Sequence, residues 1–313
     1  MQLTDVYSHI AQNNHKIIGL VLLFPLALAA FLYLFFVLCA CADEPPFAQA
    51  IQEWNEAFLT LTPVLLLICF ILTLASFAFG DKMMLGFAGA KVCPDDQEHL
   101  QVYRAVENLA LKAGIPTPKV YLIQDDSLNA FATGYSPQNA SVALTTGIVQ
   151  KLEPIELEAV ISHEIGHIIN RDIRLNMFII TGIGVLGILG EILIRTAGRS
   201  NRGSSKKGGG VALFFMIGLA LLLFRYLIAP FIHMALSRSQ EFQADATGAY
   251  LTRHPAALAQ ALSKIVQDPR VEALDGSSQM ACACICNPLK KIGGWLDTHP
   301  PIEERIKRLQ SMM

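Results

Sequence analysis

Two long stretches of this chain carry no charged residue, and they limit what it can fold into more than any other feature. Ile17 to Ala42 and Ala57 to Gly80 are both uncharged, bounded by Lys16 and Asp43 and by Glu56 and Asp81. A helix needs about 20 apolar residues to cross a bilayer core, so each run is long enough to span. Two weaker runs follow: Leu175 to Ile194, interrupted by Glu191, and Gly208 to Phe224, followed by Arg225. Charged residues make up only 16% of the chain, against roughly 25% in ordinary soluble domains, and the deficit lies in these runs. The first run is longer than the apolar core of a secretion signal, and Lys16 is the one basic residue before it. It is therefore read as a span, although Ala40-Cys41-Ala42 has the small residues of a cleavage site.

Loop charge suggests an orientation. Residues 43–56 hold four acids and no Lys or Arg, whereas Lys82 and Lys91 follow the second run. The bias of basic residues toward the cytoplasm places 43–56 outside and the stretch after Asp81 inside. The loop with Arg195, Arg199, Arg202, Lys206 and Lys207 conflicts with two full crossings by the later hairpin. Either reading returns the chain to the same side by Arg238. A net charge of −2 and a pI near 6.4 give no support for a nucleic-acid partner. The seven cysteines form no C-x-x-C pair and are read as reduced thiols, with Cys282, Cys284 and Cys286 in an apolar patch.

The segments between the runs have soluble character. Asp95 with Glu98 is a variant capping box before an amphipathic helix bearing Leu100, Tyr103, Val106 and Leu109, closed by Gly114 and Pro116. Three β-like pieces follow at 119–124, 129–133 and 141–145, separated by turn residues. Pro154 sits early in a helix carrying Ile155, Leu157, Val160 and Ile161. Residues 236–265 read as helical, 267–295 as irregular, and Pro301 opens a last helix with Ile302, Ile306 and Leu309 on its apolar side. The expected organisation is a membrane region over 1–80, a first catalytic part over 81–172, a hydrophobic hairpin over 173–235 and a second catalytic part over 236–313.

Residues 163–167 read His-Glu-Ile-Gly-His. On a helix, positions four apart share one face, so His163 and His167 can grip one Zn²⁺ while Glu164 reaches a water beside it. This is the H-E-x-x-H pattern of zinc peptidases. A catalytic zinc needs a third protein ligand and one open position. Glu241 is the best candidate, with Asp245 four residues on and able to hold the free N–H of a ligating histidine. His233, His254 and Asp275 are its rivals; Asp275 reads as a turn residue in Leu274-Asp275-Gly276.

Taken together, His-Glu-Ile-Gly-His, the later Ser237-Arg-Ser-Gln-Glu-Phe-Gln-Ala-Asp245, Asn129-Ala-Phe-Ala-Thr-Gly134 and Thr298-His-Pro-Pro301 resemble the HtpX family. These are bacterial inner-membrane peptidases related to the CAAX prenyl proteases. The resemblance covers nearly the whole chain. It implies a mainly α, multi-span membrane protein with a small β-sheet and a zincin-like (gluzincin) catalytic domain. It further implies zinc ligation by His163, His167 and Glu241, catalysis by Glu164, and an active site facing the cytoplasm. The implied role is quality control of damaged membrane proteins. Asp172 matches a family acid, although a helix-end charge paired with Arg171 or Arg174 reads equally well.

The expected chemistry is hydrolysis of peptide bonds in membrane and unfolded polypeptides, with Glu164 as general base. His299 is the candidate donor to the developing oxyanion. Asn129, Ala130, Phe131 and Ala132 would form an edge strand that pairs with substrate backbone. Two other classes fit less well. A scaffold with structural zinc would fill all four metal positions. A transporter would need acids inside its spans, and the first two runs have none.

Overall fold

The computed structural model describes residues 3–41, 47–97, 99–200, 208–235, 238–267 and 300–313. The chain divides into two compact units: one of 1–14, 79–181 and 232–313, the other of 15–78 and 182–231. The fold is mostly helical with one small sheet.

The first unit is built on helix α5, Pro154–Ile169, which carries the His-Glu-x-x-His motif. Pro154 occupies its first turn, where a missing N–H costs nothing. Glu153 and Glu156 form a reciprocal capping box. Nearly every residue from Glu156 to Ile168 is buried, the mark of a helix at the centre of a core rather than on its surface. Lys264 donates to the buried Glu156 carboxylate at 2.6 Å, so the cap does not leave an isolated charge inside.

Around α5 pack α3 (Leu100–Ala113), α8 (Arg238–Thr252) and α9 (Pro255–Ile265); α10 (Ile302–Gln310) rests on α9 and α8, and the short α4 (Thr146–Lys151) leads into α5. Val102, Val106, Leu109 and Ala110 form the buried face of α3. Gly114 ends α3 at φ 68°, its N–H closing onto Ala110 and Leu111. The sheet has strand order β1-β2-β4-β3. Its strands are β1 (Lys91–Val92), β2 (Lys119–Ile123), β3 (Ala130–Thr133) and β4 (Ser141–Thr145). β2 runs parallel to β4, with Val120 opposite Val142, while β3 pairs antiparallel with β4, with Ala132 opposite Val142. β3 is therefore an edge strand, and it packs on α5.

Three local features differ from the sequence reading or add to it. The helix read over 236–265 is two helices, because Arg253 adopts φ 58° and Pro255 disfavours helical backbone at His254. Before α3, Asp96 Oδ1 accepts from the His99 N–H at 3.0 Å, and Glu98 of the expected Asp95–Glu98 capping box lies outside the described residues. The two-residue strand β1 has no sequence signal, and its pairing with Leu122 and Tyr121 creates it.

The second unit takes residues from α1 (Leu3–Cys41), α2 (Phe47–Phe87), α6 (Asp172–Ser200) and α7 (Gly208–Ala235). Leu28, Leu32, Leu186, Ile217, Leu221 and Phe224 form its buried cluster. Gly190 and Gly218 let α6 and α7 touch through backbone: a Cβ on either would lie within 2.9 Å of the other's carbonyl oxygen. Leu22, Leu26, Leu67, Phe70 and Ile71 point outward, more than half exposed. Glu191 is exposed and paired with Arg195 at 3.0 Å. Among the described residues, Asn13–Phe35 is long and apolar enough to cross a bilayer, and Phe214–Ile228 is a shorter apolar stretch.

Candidate active site

Helices α5 and α8 approach closely because each presents a glycine to the other's backbone. A Cβ on Gly166 would meet the Ala244 Cα and carbonyl oxygen at 3.1 Å. One on Gly248 would meet Ser162 Oγ at 2.9 Å and the His163 backbone nitrogen at 3.0 Å. Larger side chains would push the helices apart. At this spacing, Glu241 in the first turn of α8 reaches the two histidines of α5.

The result is a group of side chains that could hold one metal ion. One ligand atom from each of His163, His167 and Glu241 lies within 4.8 Å of the others. His163 Nε2 is 3.7 Å from Glu241 Oε2, and His167 Nε2 is 3.6 Å from Glu241 Oε1. The imidazoles meet edge to face, with centroids 4.7 Å apart. Each ring is fixed from behind by a carboxylate: His163 Nδ1 is 2.9 Å from Asp245 Oδ1, and His167 Nδ1 is 2.9 Å from Asp172 Oδ2. An ionised carboxylate accepts only, so each Nδ1 carries a proton and each Nε2 is the ring nitrogen turned toward Glu241, the atom that can bind a metal once it is unprotonated. Two imidazole nitrogens and one carboxylate suit a borderline-soft divalent cation.

Asp172 is 1% exposed and bonded to His167. This geometry favours a site contact over the helix-end pairing with Arg171 or Arg174. His254 is exposed and precedes α9, away from any ligand arrangement. His299, Asp275, Cys282, Cys284, Cys286, Arg202, Lys206 and Lys207 lie outside the described residues, as does the side chain of His233.

Glu164 is 2% exposed. Burial raises its affinity for a proton, which the neighbouring histidines and a hydrogen bond from the Ala132 backbone offset in part. Asn129, Ala130, Phe131 and Ala132 are all buried, and Asn129 Oδ1 accepts from the Ala130 N–H at 2.9 Å. Edge strand β3 is thus tied to Glu164 through Ala132. For His167, burial alone would disfavour the proton. The Asp172 hydrogen bond and the charges of Glu241, Asp172 and Glu164 outweigh it and push the pKa up to about 9 in the metal-free site. For Asp245, burial alone would raise the pKa, but Arg305 and His163 hold it down to about 2.

Arg305 was not singled out by sequence reasoning. It is 0% exposed, and donates to Asp245 from Nε at 2.8 Å and from Nη2 at 2.7 Å. Its Nη1 is 3.1 Å from Glu241 Oε2. Nη2 is also 3.4 Å from both ring nitrogens of His163, a contact across the ring edge rather than a directed bond. Helix α10 buries Leu309 in the core and is tied to α8 by Arg308, which stacks 3.5 Å above the Phe242 ring. A signal was present. Arg305 falls three residues after Ile302 and four before Leu309, on the apolar stripe of its own helix. A charge at such a position announces a buried partner. Asn13 and Gln240 are buried beside the site as well, and nothing local in the sequence marks them.

A buried helix presenting two histidines and a carboxylate, beside a helix supplying a second acid, is the arrangement of a metallopeptidase. Comparison with known proteins agrees. Residues 96–313 match the model for peptidase family M48. The chain is 33% identical to a protease HtpX homolog of Bacteroides fragilis over 99% of both chains. It is 40% identical to homologs from Leuconostoc citreum, over 74% of this chain and 79% of that one, and from Thermoanaerobacter pseudethanolicus, over 80% and 85%. The crystal structure of S. mikatae Ste24p aligns at 22% identity and a TM-score of 0.43, over 95% of this chain and 65% of that one. This chain belongs to peptidase family M48 and, within it, to the HtpX-type proteases.

Proposed function

We propose that the protein is a zinc-dependent, multi-pass membrane endopeptidase of the gluzincin type. Its metal would be held by His163 Nε2, His167 Nε2 and Glu241. The observation that carries this reading is that both histidines turn Nε2 toward Glu241 while buried carboxylates hold both Nδ1 atoms. When bound, zinc supplies a Lewis acid that polarises a carbonyl and makes water more acidic. Glu164 takes the proton of the attacking water, its affinity for that proton raised by burial. It then returns the proton to the departing amine. Backbone groups of 129–132 pair with extended substrate, which gives affinity with little sequence preference. His299 would donate to the oxyanion.

The uncharged runs at 17–42 and 57–80 and the α6–α7 hairpin are the membrane segments in this reading; the two runs precede the catalytic part at 81–172, and the hairpin separates it from the part at 236–313. The outward leucines and phenylalanines of the second unit support it. The loop charges support an active site on the cytoplasmic face of a bacterial inner membrane. Misfolded membrane proteins and unfolded polypeptides are the proposed substrates, in a quality-control and stress-response role. The test is zinc content and casein cleavage of detergent-purified protein. Wild type and Glu164→Gln should hold about one zinc, Glu241→Ala should lose it, and wild type alone should cleave. Zinc retained by Glu241→Ala would overturn the ligand set.

A further inference from the structure

Residues 3–16 of α1 precede the apolar run, and one residue there reaches the metal site. Asn13 is 2% exposed. Its Nδ2 donates to Asp172 Oδ1 at 2.7 Å and more weakly to the Asn170 carbonyl at 3.3 Å. Its Oδ1 accepts from Gln240 Nε2 at 2.9 Å. The ionised Asp172 can only accept, so the amide must turn its NH₂ toward Asp172 and its oxygen toward Gln240. Asp172 divides its two oxygens, giving Oδ2 to His167 Nδ1 and Oδ1 to Asn13. Gln240 directly precedes Glu241 on α8. One side-chain amide therefore links the carboxylate behind His167 to the helix turn that bears Glu241. The next residue adds a second tie: Asn14 Oδ1 accepts from Arg174 Nη1 at 3.3 Å, while Arg174 Nε donates to the Tyr135 carbonyl just past β3.

We infer that Asn13 is a positioning residue of the metal centre, acting through Asp172 on His167 and through Gln240 on Glu241. The inference rests on the ligand set proposed above. A neutral amide suits this place. It supplies a donor to Asp172 without a positive charge that would compete with the metal, and an acceptor to Gln240 without a second negative charge. Alanine would leave one oxygen of Asp172 unheld and free to rotate away from His167. Aspartate would set two carboxylates against each other.

The experiment measures zinc affinity by chelator competition on the full chain in detergent, together with the Co²⁺ absorption spectrum and the melting of the metal-free protein. Asn13→Ala should weaken zinc binding by about 10- to 100-fold, the usual effect of losing a group that orients a metal ligand. Asn13→Asp should weaken it at least as much. In an Asp172→Ala background, Asn13→Ala should add less than about twofold, because its main route to the metal is already cut. Gln240→Ala should weaken binding by a smaller factor and serves as the second probe if Asn13→Ala does not fold. Zinc affinity of Asn13→Ala within about twofold of wild type, while Asp172→Ala loses tenfold or more, would overturn the inference. So would full additivity of the two changes, which would mark Asn13 as a purely structural contact. If Asp172→Ala and Glu241→Ala both bind zinc as wild type does, the proposed ligand set fails instead.

Discussion

Replacing Arg305 by Met removes a buried guanidinium from between two buried carboxylates while keeping most of its bulk. Asp245 then loses donors at 2.7 and 2.8 Å, and Glu241 loses a cation at 3.1 Å. The fall of the Asp245 pKa from 3.8 to about 2 corresponds to roughly 2 kcal/mol for that carboxylate. Stripping one partner from a buried ion pair costs about 3–5 kcal/mol in general, and the second carboxylate places Arg305→Met within that range. At about 2–4 °C per kcal/mol, the metal-free protein should melt roughly 6–20 °C lower. With zinc bound, the ion's own charge offsets part of the loss at Glu241 but little of that at Asp245, so the difference should shrink without vanishing. Arg305→Lys keeps the charge but has no planar fork to hold Asp245 at two points, and should fall between the two. Melting followed by circular dichroism in detergent, with chelator and with excess zinc, decides the matter. Melting of Arg305→Met within about 2 °C of wild type under both conditions would refute the reasoning.

Other predictions follow from the same geometry. In metal-free protein, the raised His167 pKa stabilises the fold fully below pH 6.5, and that stability is lost as pH rises toward about 9. The lowered Asp245 pKa stabilises it above 3.8 and is lost as pH falls toward about 2. Chelator-treated protein should therefore melt highest between about pH 4 and 6.5, and a melting point that climbs from pH 7 to 9 would contradict this. Zinc must displace the His167 proton, so its affinity should rise close to tenfold per pH unit between about 6.5 and 9, measured by chelator competition in non-coordinating buffer. Gly248→Ala should cost about 1–3 kcal/mol and weaken zinc binding together, because its Cβ would meet the His163 backbone at 3.0 Å; unchanged affinity would show that the helices are not held at their limit.

What could be read in the sequence followed from short-range geometry. His163 and His167 share a helix face by spacing alone, and the strand signals at 119–124, 129–133 and 141–145 lie within a residue of the strands found. Glu241 stood out because a two-histidine site needs a third ligand and few acids had a suitable setting. Features made by distant pairings were less visible. β1 exists only because β2 lies beside it, and the reach of Asn13 to Asp172 crosses most of the first half of the chain. The break between α8 and α9 is marked in the sequence by Pro255 alone, since helical periodicity continues on both sides. Arg305 was legible for the opposite reason: it interrupts an apolar stripe.

The contact between α5 and α8 joins segments made at different times. A ribosome releases Asn13 first, then the two histidines, then the α6–α7 hairpin, and only afterwards Glu241 and Arg305. At roughly 5–20 residues per second, the histidine pair waits several seconds for its carboxylate. Until α8 docks through Gly166 and Gly248, the chain offers an incoming cation two nitrogens and no third arm. With His163, His167 and Glu241 as the proposed ligands, maturation of this peptidase is sequential by construction: its ability to cut would have to await the docking of α8.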